Sequence, residues 1–204
     1  LRERVPSSVA LSADLSSVPE VEKAVDGAAE ALGGLDAFVQ CAGLGVTTEG
    51  EDTRRHVRMP AIDEPAWDRM MDVNAKSTFF AVRRVADVMG RGDGGNLVLL
   101  GSIDGVKPVP SPVHYAASKG ALAGMTTAMA KELGPARIRV NMVAPGILEE
   151  GLSRDIPKDL LDEYVKHCGL RRPGRLSEVA RLVAWLAVHN TYVTGQVVLV
   201  DGAL

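Results

Sequence analysis

Apolar positions along the chain follow two rhythms, one with a repeat near two residues and one with a repeat near three and a half. Ser8 to Ala13 alternates enough to predict a strand running into Asp14. Val18, Val21, Val25, Ala28, Ala29 and Leu32 then share one helical face, with Ser16 or Ser17, Pro19 and Glu20 as the start signal and Gly33-Gly34 as the stop. Leu35 to Cys41 reads as a buried strand ending at Ala42-Gly43. The polar stretch 46–60, with Arg54, Arg55, His56 and Arg58, reads as a solvated loop. Trp67, Met70, Met71, Phe79, Phe80, Val82, Val85 and Met89 predict one long helix from Glu64 to Met89 with Asn74 inside it. The glycines of 90–95 turn the chain into a strand, Asn96 to Leu100, which ends at Ser102. A proline-rich loop leads to a helix from about Pro112 to Leu133, then a strand from Ile138 to Ala144 and the turn Pro145-Gly146. Segment 147–175 is irregular and charged with one helix, Lys158 to His167, and reads as a substrate lid. Ser177 is the expected cap of a helix from Glu178 to Ala187, and Gln196 to Val200 is the last strand. Leu1 to Val5 resembles the tail of a helix.

Strands alternating with helices require crossover connections, which gives a parallel sheet with helices on both faces. The expected class is doubly wound α/β, with residues 1–204 forming one domain. No internal repeat or low-complexity segment competes with this arrangement.

Composition narrows the function. A chain of 204 residues with 46% hydrophobic and 24% charged residues and a net charge of −3 has no general attraction for nucleic acid or an anionic membrane. The two cysteines, Cys41 and Cys168, have no metal-ligand spacing and fit a reducing cytoplasm, and no metal site is expected. Cys41 reads as a small apolar residue at a strand end. No window approaches 18 uninterrupted apolar residues, and Leu1-Arg2-Glu3-Arg4 does not read as a signal peptide.

The chemistry concentrates between Ser102 and Lys119. Tyr115 and Lys119 are four apart and lie one turn from each other on one helix face. A fixed ammonium beside a phenol favours phenolate, so Lys119 is expected to lower the Tyr115 pKa toward that of a working acid and base. Ser102, thirteen positions upstream at a strand end, can face the start of that helix, where it and Tyr115 could grip one carbonyl oxygen.

Together with the small residues Ala116, Ala117, Ser118 and Gly120 and the run Asn141-Met142-Val143-Ala144-Pro145-Gly146, this set resembles the short-chain dehydrogenase/reductase family from about Ser8 to Leu204. The resemblance implies a Rossmann-type sheet, NAD or NADP as cofactor, and a small-molecule carbonyl or secondary alcohol as substrate. It implies that Tyr115 exchanges a proton with the substrate oxygen, that Ser102 holds and polarises that oxygen, and that Lys119 also binds the nicotinamide ribose. Asn74 would hold a water linking Lys119 to solvent. Asp14 would bind the adenine side, with Leu15 giving a backbone contact. Ala42 and Gly43 match the end of an Asn-Asn-Ala-Gly motif, and Pro145, Gly146 and Ile147 would face the nicotinamide, Ile147 through its backbone. Gln40 and Cys41 replace both asparagines of that motif, which puts the usual bracing of the central strand in doubt, and Glu150 stands where a threonine is common. Both departures predict weaker cofactor binding. The layout is most similar to 3-oxoacyl-carrier-protein reductases, and relatives commonly form homodimers or homotetramers through the helices at Glu64–Met89 and Pro112–Leu133.

A fold of this kind opens with a strand, a Gly-rich turn and a helix that receive the pyrophosphate. The glycines of 90–95 precede a strand and do not fit that role. In the family's strand order the strand at Val9 would lie roughly 14 Å from that at Ala37, so a first βαβ unit of on the order of 40 residues is expected upstream. The competing expectation is a non-catalytic binding or regulatory module with impaired dinucleotide binding. The choice between NAD and NADP, set at the second strand of the fold, stays open.

Overall fold

The computed structural model describes residues 8–45, 57–153 and 156–204. The expected helix tail at Leu1 to Val5 and the arginine-rich loop, apart from its last residues, lie outside them.

The N-terminal helix α1 spans Val18–Leu32 and buries Val21 and Val25, with Pro in its first turn; Gly33, at φ 73°, ends it in the left-handed conformation that glycine adopts without strain. Strand β1 (Ala37–Gln40) follows. The long helix predicted from Glu64 is two helices, α2 (Glu64–Met71) and α3 (Ser77–Gly90), joined without a break by a π turn at Asp72–Lys76. The extra residue of a π turn rotates the face presented on either side of it. Trp67 and Phe79 consequently stand at 39% and 41% exposure, while Val82, Val85 and Met89 are buried.

Strand β2 (Gly95–Leu100), helix α4 (Val113–Leu133), strand β3 (Ile138–Pro145), helices α5 (Lys158–His167) and α6 (Leu176–Ala184), and strand β4 (Val197–Val200) complete the chain. The four strands lie in the order β1-β2-β3-β4, every pair parallel, with Val39 beside Val98, Val98 beside Asn141, and Val143 beside Val198. Side chains alternate across such a sheet. Leu97, Leu99, Val140 and Met142 pack on one face with Val21, Val25, Val85, Met89 and Leu122 from α1, α3 and α4. Val98 and Val143 pack on the other with Val179, Leu186 and Ala187. Both faces are therefore covered, as the strand and helix alternation requires.

Three expectations are corrected. Ser8 to Asp14 is not a strand and pairs with no strand among the described residues. A strand needs a ladder partner for its backbone groups, and between this segment and β1 lies a groove lined by Ala13, Leu15, Val21, Val25, Phe38 and Val85. The strand expected from Leu35 to Cys41 is shorter, Ala37–Gln40, and Cys41 lies exposed just beyond its end. Helix α6 starts at Leu176 with Arg175 as its cap residue, because Glu178 reaches back to accept the Arg175 N–H at 2.8 Å, which leaves Ser177 inside the first turn.

Candidate active site

All four strands end on the same side, and that edge carries the site. Ser102 lies two residues past β2 and caps a 3-10 turn, Ile103–Gly105. That turn sits directly on α4, and a side chain at Gly105 would run into the backbone of Lys119 and Gly120. The glycine thus sets how closely Ser102 approaches the helix that carries Tyr115 and Lys119. Tyr115 is 7% and Lys119 8% exposed. The Lys119 ammonium stands 5.7 Å from the Tyr115 ring centroid and donates to the Leu100 carbonyl at 3.2 Å.

The electrostatics depart from expectation. Burial of the phenol pushes the Tyr115 pKa up to about 12, the Asp104 carboxylate adds to the rise, and hydrogen bonding with Ser102 opposes it. Desolvation, reinforced by the Asp104 charge, sets the direction of the shift. Burial also lowers the Lys119 pKa, against the opposing pull of Asp104 and Cys41. Tyr115 is therefore a protonated phenol at neutral pH.

Asn74 is held in the π turn, where its side chain is fully engaged. Its Oδ1 accepts from the Leu44 N–H at 2.6 Å, and its Nδ2 donates to the Leu44 carbonyl at 3.1 Å and the Ser118 hydroxyl at 3.0 Å. Ser118 in turn donates to the Tyr115 carbonyl at 2.8 Å. Asn74 thus ties the loop after β1 to α4, within the turn that carries the reactive pair. Gly43 fits against this brace: a Cβ there would lie 2.9 Å from Asn74 Oδ1 and 3.7 Å from Lys119 Nζ. Gln40 supplies the bracing expected of an asparagine, donating to Thr78 Oγ1 at 3.3 Å and tying β1 to α3.

The other cofactor candidates are less uniform. Asp14 is exposed, and its carboxylate accepts from the Ser16 N–H and hydroxyl at 2.9 and 2.8 Å, which holds its pKa below the ordinary value. Leu15 packs against the core cluster of α1 and α3. Among the described residues no hydrogen bond links either to Tyr115. Pro145 ends β3 beside Val200. Gly146 donates to the Val200 carbonyl at 3.0 Å, and the Tyr164 hydroxyl sits where its side chain would be. The Ile147 carbonyl accepts from the Gly174 N–H at 3.0 Å. Glu150 is exposed.

Sequence reasoning gave no role to three residues here. Tyr164 comes from α5, donates to the Asp201 carbonyl at 3.1 Å and packs with Ile103, Ile147 and Cys168. Its apolar neighbours on an amphipathic helix carried no chemical signal. Ser118 looked like a small packing residue. Asp104 lay inside the stretch already singled out, and a carboxylate two residues from a reactive serine was the available sign.

The Lys119 ammonium has N–H groups beyond the one given to the Leu100 carbonyl, a donor set that fits the ribose and nicotinamide end of a dinucleotide. Ala42, Gly43, Tyr115 and Lys119 are the residues that would hold that end.

A family profile described as Enoyl-(Acyl carrier protein) reductase matches residues 1–204. The chain is 32% identical over 186 residues to a 3-oxoacyl-(acyl-carrier-protein) reductase of Thermotoga maritima, covering 91% of this chain and 72% of that protein. Among solved structures, a short-chain dehydrogenase/reductase from Serratia marcescens superposes with a TM-score of 0.82 at 31% identity over 96% of this chain and 76% of the other. A 3-oxoacyl-(acyl-carrier protein) reductase with bound NAD from Brucella melitensis gives 0.82 at 33% identity over 96% and 71%. With a parallel sheet covered on both faces, and with serine, tyrosine and lysine meeting at the strand ends, these likenesses place the chain in the short-chain dehydrogenase/reductase family of NAD(P)-dependent oxidoreductases.

Proposed function

We propose that the protein interconverts a carbonyl and a secondary alcohol, with 3-oxoacyl thioesters as the first substrates to try, and that Tyr115, Ser102, Lys119 and Asn74 serve the reaction. The observation that carries this is the convergence of a buried phenol, a buried ammonium and a serine hydroxyl at the end of β2. When bound, the cofactor supplies a hydride to the carbonyl carbon or takes one from the alcohol carbon. Tyr115 gives its phenolic proton to the substrate oxygen in reduction and recovers it in oxidation. Ser102 holds the same oxygen from the strand side. Lys119 places positive charge beside the phenol and donates to the ribose, and Asn74 fixes α4 against the loop after β1. The single domain carries segment 147–175 as its substrate lid, whose two ends are tied by the Glu149 N–H to Gly174 carbonyl bond at 2.9 Å and the Gly174 N–H to Ile147 carbonyl bond at 3.0 Å.

The protein acts in the cytoplasm as a homodimer or homotetramer. Trp67, Phe79 and Val113, from α2, α3 and α4, are 39%, 41% and 46% exposed and support contact through these helices. Among the described residues no helix is long and apolar enough to cross a membrane.

Fluorescence titration of the full-length protein with NADH and NADPH tests the assignment. Saturable binding of one of them below millimolar concentration is expected. No binding of either at millimolar concentration would leave a non-catalytic module as the better account.

A further inference from the structure

Asp104 places a half-buried carboxylate inside the reacting group, in the 3-10 turn that follows β2. Its Oδ2 accepts from the Ser102 hydroxyl, and its N–H approaches Ser102 Oγ at 3.3 Å. Its charge acts on both Tyr115 and Lys119. Among the described residues no lysine or arginine forms an ion pair with it, and its other side-chain oxygen has no hydrogen-bond partner. The carboxylate is thus an acceptor with capacity to spare, beside the hydroxyl that holds the substrate oxygen.

Ser102 has one hydrogen to give. In this structure Asp104 takes it. A ketone oxygen can only accept, so Ser102 must turn its hydrogen from Asp104 to the substrate, and a half-buried charged acceptor then lacks a donor, which is unfavourable. A hydroxyl on the carbon next to the carbonyl replaces that donor. Oxygens on adjacent carbons stand about as far apart as two oxygens that share a hydrogen bond, so with one against Ser102 and Tyr115 the other is within reach of the carboxylate. An ammonium there would meet the positive charge of Lys119, and a neutral hydroxyl does not. We propose that Asp104 is a specificity-determining residue that selects carbonyls bearing a hydroxyl on the neighbouring carbon and, in the reverse direction, vicinal diols. In oxidation the reacting hydroxyl gives its hydrogen to Tyr115, Ser102 donates to the same oxygen, and the second hydroxyl serves Asp104.

The inference rests on the oxidoreductase reading above, and its test separates the two. The probes are 3-hydroxy-2-butanone and its methyl ether, 3-methoxy-2-butanone, with the full-length protein and both nicotinamides. The ether keeps the electron withdrawal of the neighbouring oxygen and loses the donor. Wild type is expected to show a kcat/KM about tenfold or more higher for the hydroxy ketone, the scale of one hydrogen bond to a charged group. Asp104→Ala should bring that ratio to within about twofold of unity. Its effect on the Tyr115 proton acts on both probes and cancels in the ratio. Asp104→Asn keeps the size of the side chain without its charge, should lower the ratio as well, and decides the matter where the alanine variant does not fold. A wild-type ratio near unity, or a ratio that these variants leave unchanged, would overturn the inference, while turnover of either probe or of an acetoacetyl thioester leaves the oxidoreductase reading standing. Absence of turnover of all three carbonyls with either nicotinamide would overturn both.

Discussion

At the scale of single residues, Tyr115 decides the chemistry. Its pKa of about 12 keeps the proton on through neutral pH, the form that reduction needs. Oxidation needs the phenolate, whose fraction grows tenfold per pH unit below that value. The alcohol-oxidation kcat/KM should therefore rise with unit slope from pH 7 to 9, while the reduction rate should show no loss attributable to this group over that range. A flat oxidation profile would remove Tyr115 as the base. The Ser102, Tyr115 and Lys119 trio was legible in the sequence because helix periodicity and a strand end fix where such side chains fall. The direction of the pKa shift was not, since desolvation depends on burial and on Asp104, neither of which spacing reveals.

At the scale of elements, two close contacts shape the site. The 3-10 turn holding Ser102 reaches α4 only because residue 105 has no side chain. Gly105→Ala should cost about 1–3 kcal/mol of stability through overpacking and lower turnover by moving Ser102 away from Tyr115; unchanged denaturation midpoint and turnover would contradict this. Near the end of segment 147–175, Arg172 donates to both Glu178 oxygens at 2.9 and 2.6 Å and drives the Glu178 pKa down to about 2. A depressed carboxyl contributes stability that is complete above its free value of 4.5 and lost as pH falls through about 2. The Tm difference between wild type and Glu178→Gln should be present at pH 6 and shrink below pH 4.5; a difference independent of pH would assign it to packing. Helix α5 matched its predicted limits, Lys158 to His167, because its pattern is strongly amphipathic. The π turn at Asp72–Lys76 was hidden, since one extra residue hardly disturbs an apolar repeat read by eye along the chain. Its consequence is functional: it helps bring Asn74 to Leu44 and Ser118.

At the scale of the whole molecule, the doubly wound class followed from the order of strands and helices, and the register of β1 to β4 agrees with it. The strand expected at Ser8 to Ala13 did not follow, because strand formation depends on a partner and alternation alone does not supply one. Assembly belongs to this scale as well. Phe79 packs edge-on to Phe80 at 5.2 Å between ring centroids and presents its other side to solvent. Phe79→Glu should shift the sedimentation of the protein from dimer or tetramer toward monomer while its circular dichroism stays native; an unchanged sedimentation coefficient would place any interface elsewhere.

The central claim is that a buried phenol held by Ser102 and Lys119 exchanges a proton with a substrate whose carbon exchanges a hydride with a nicotinamide. The most direct test follows absorbance of the reduced cofactor during acetoacetyl-thioester reduction by wild type and Tyr115→Phe, with cofactor affinity measured on both. The account predicts turnover by the wild type, a loss of about 100-fold or more in kcat for the variant, and equal cofactor affinity. Turnover by Tyr115→Phe at the wild-type rate would contradict it.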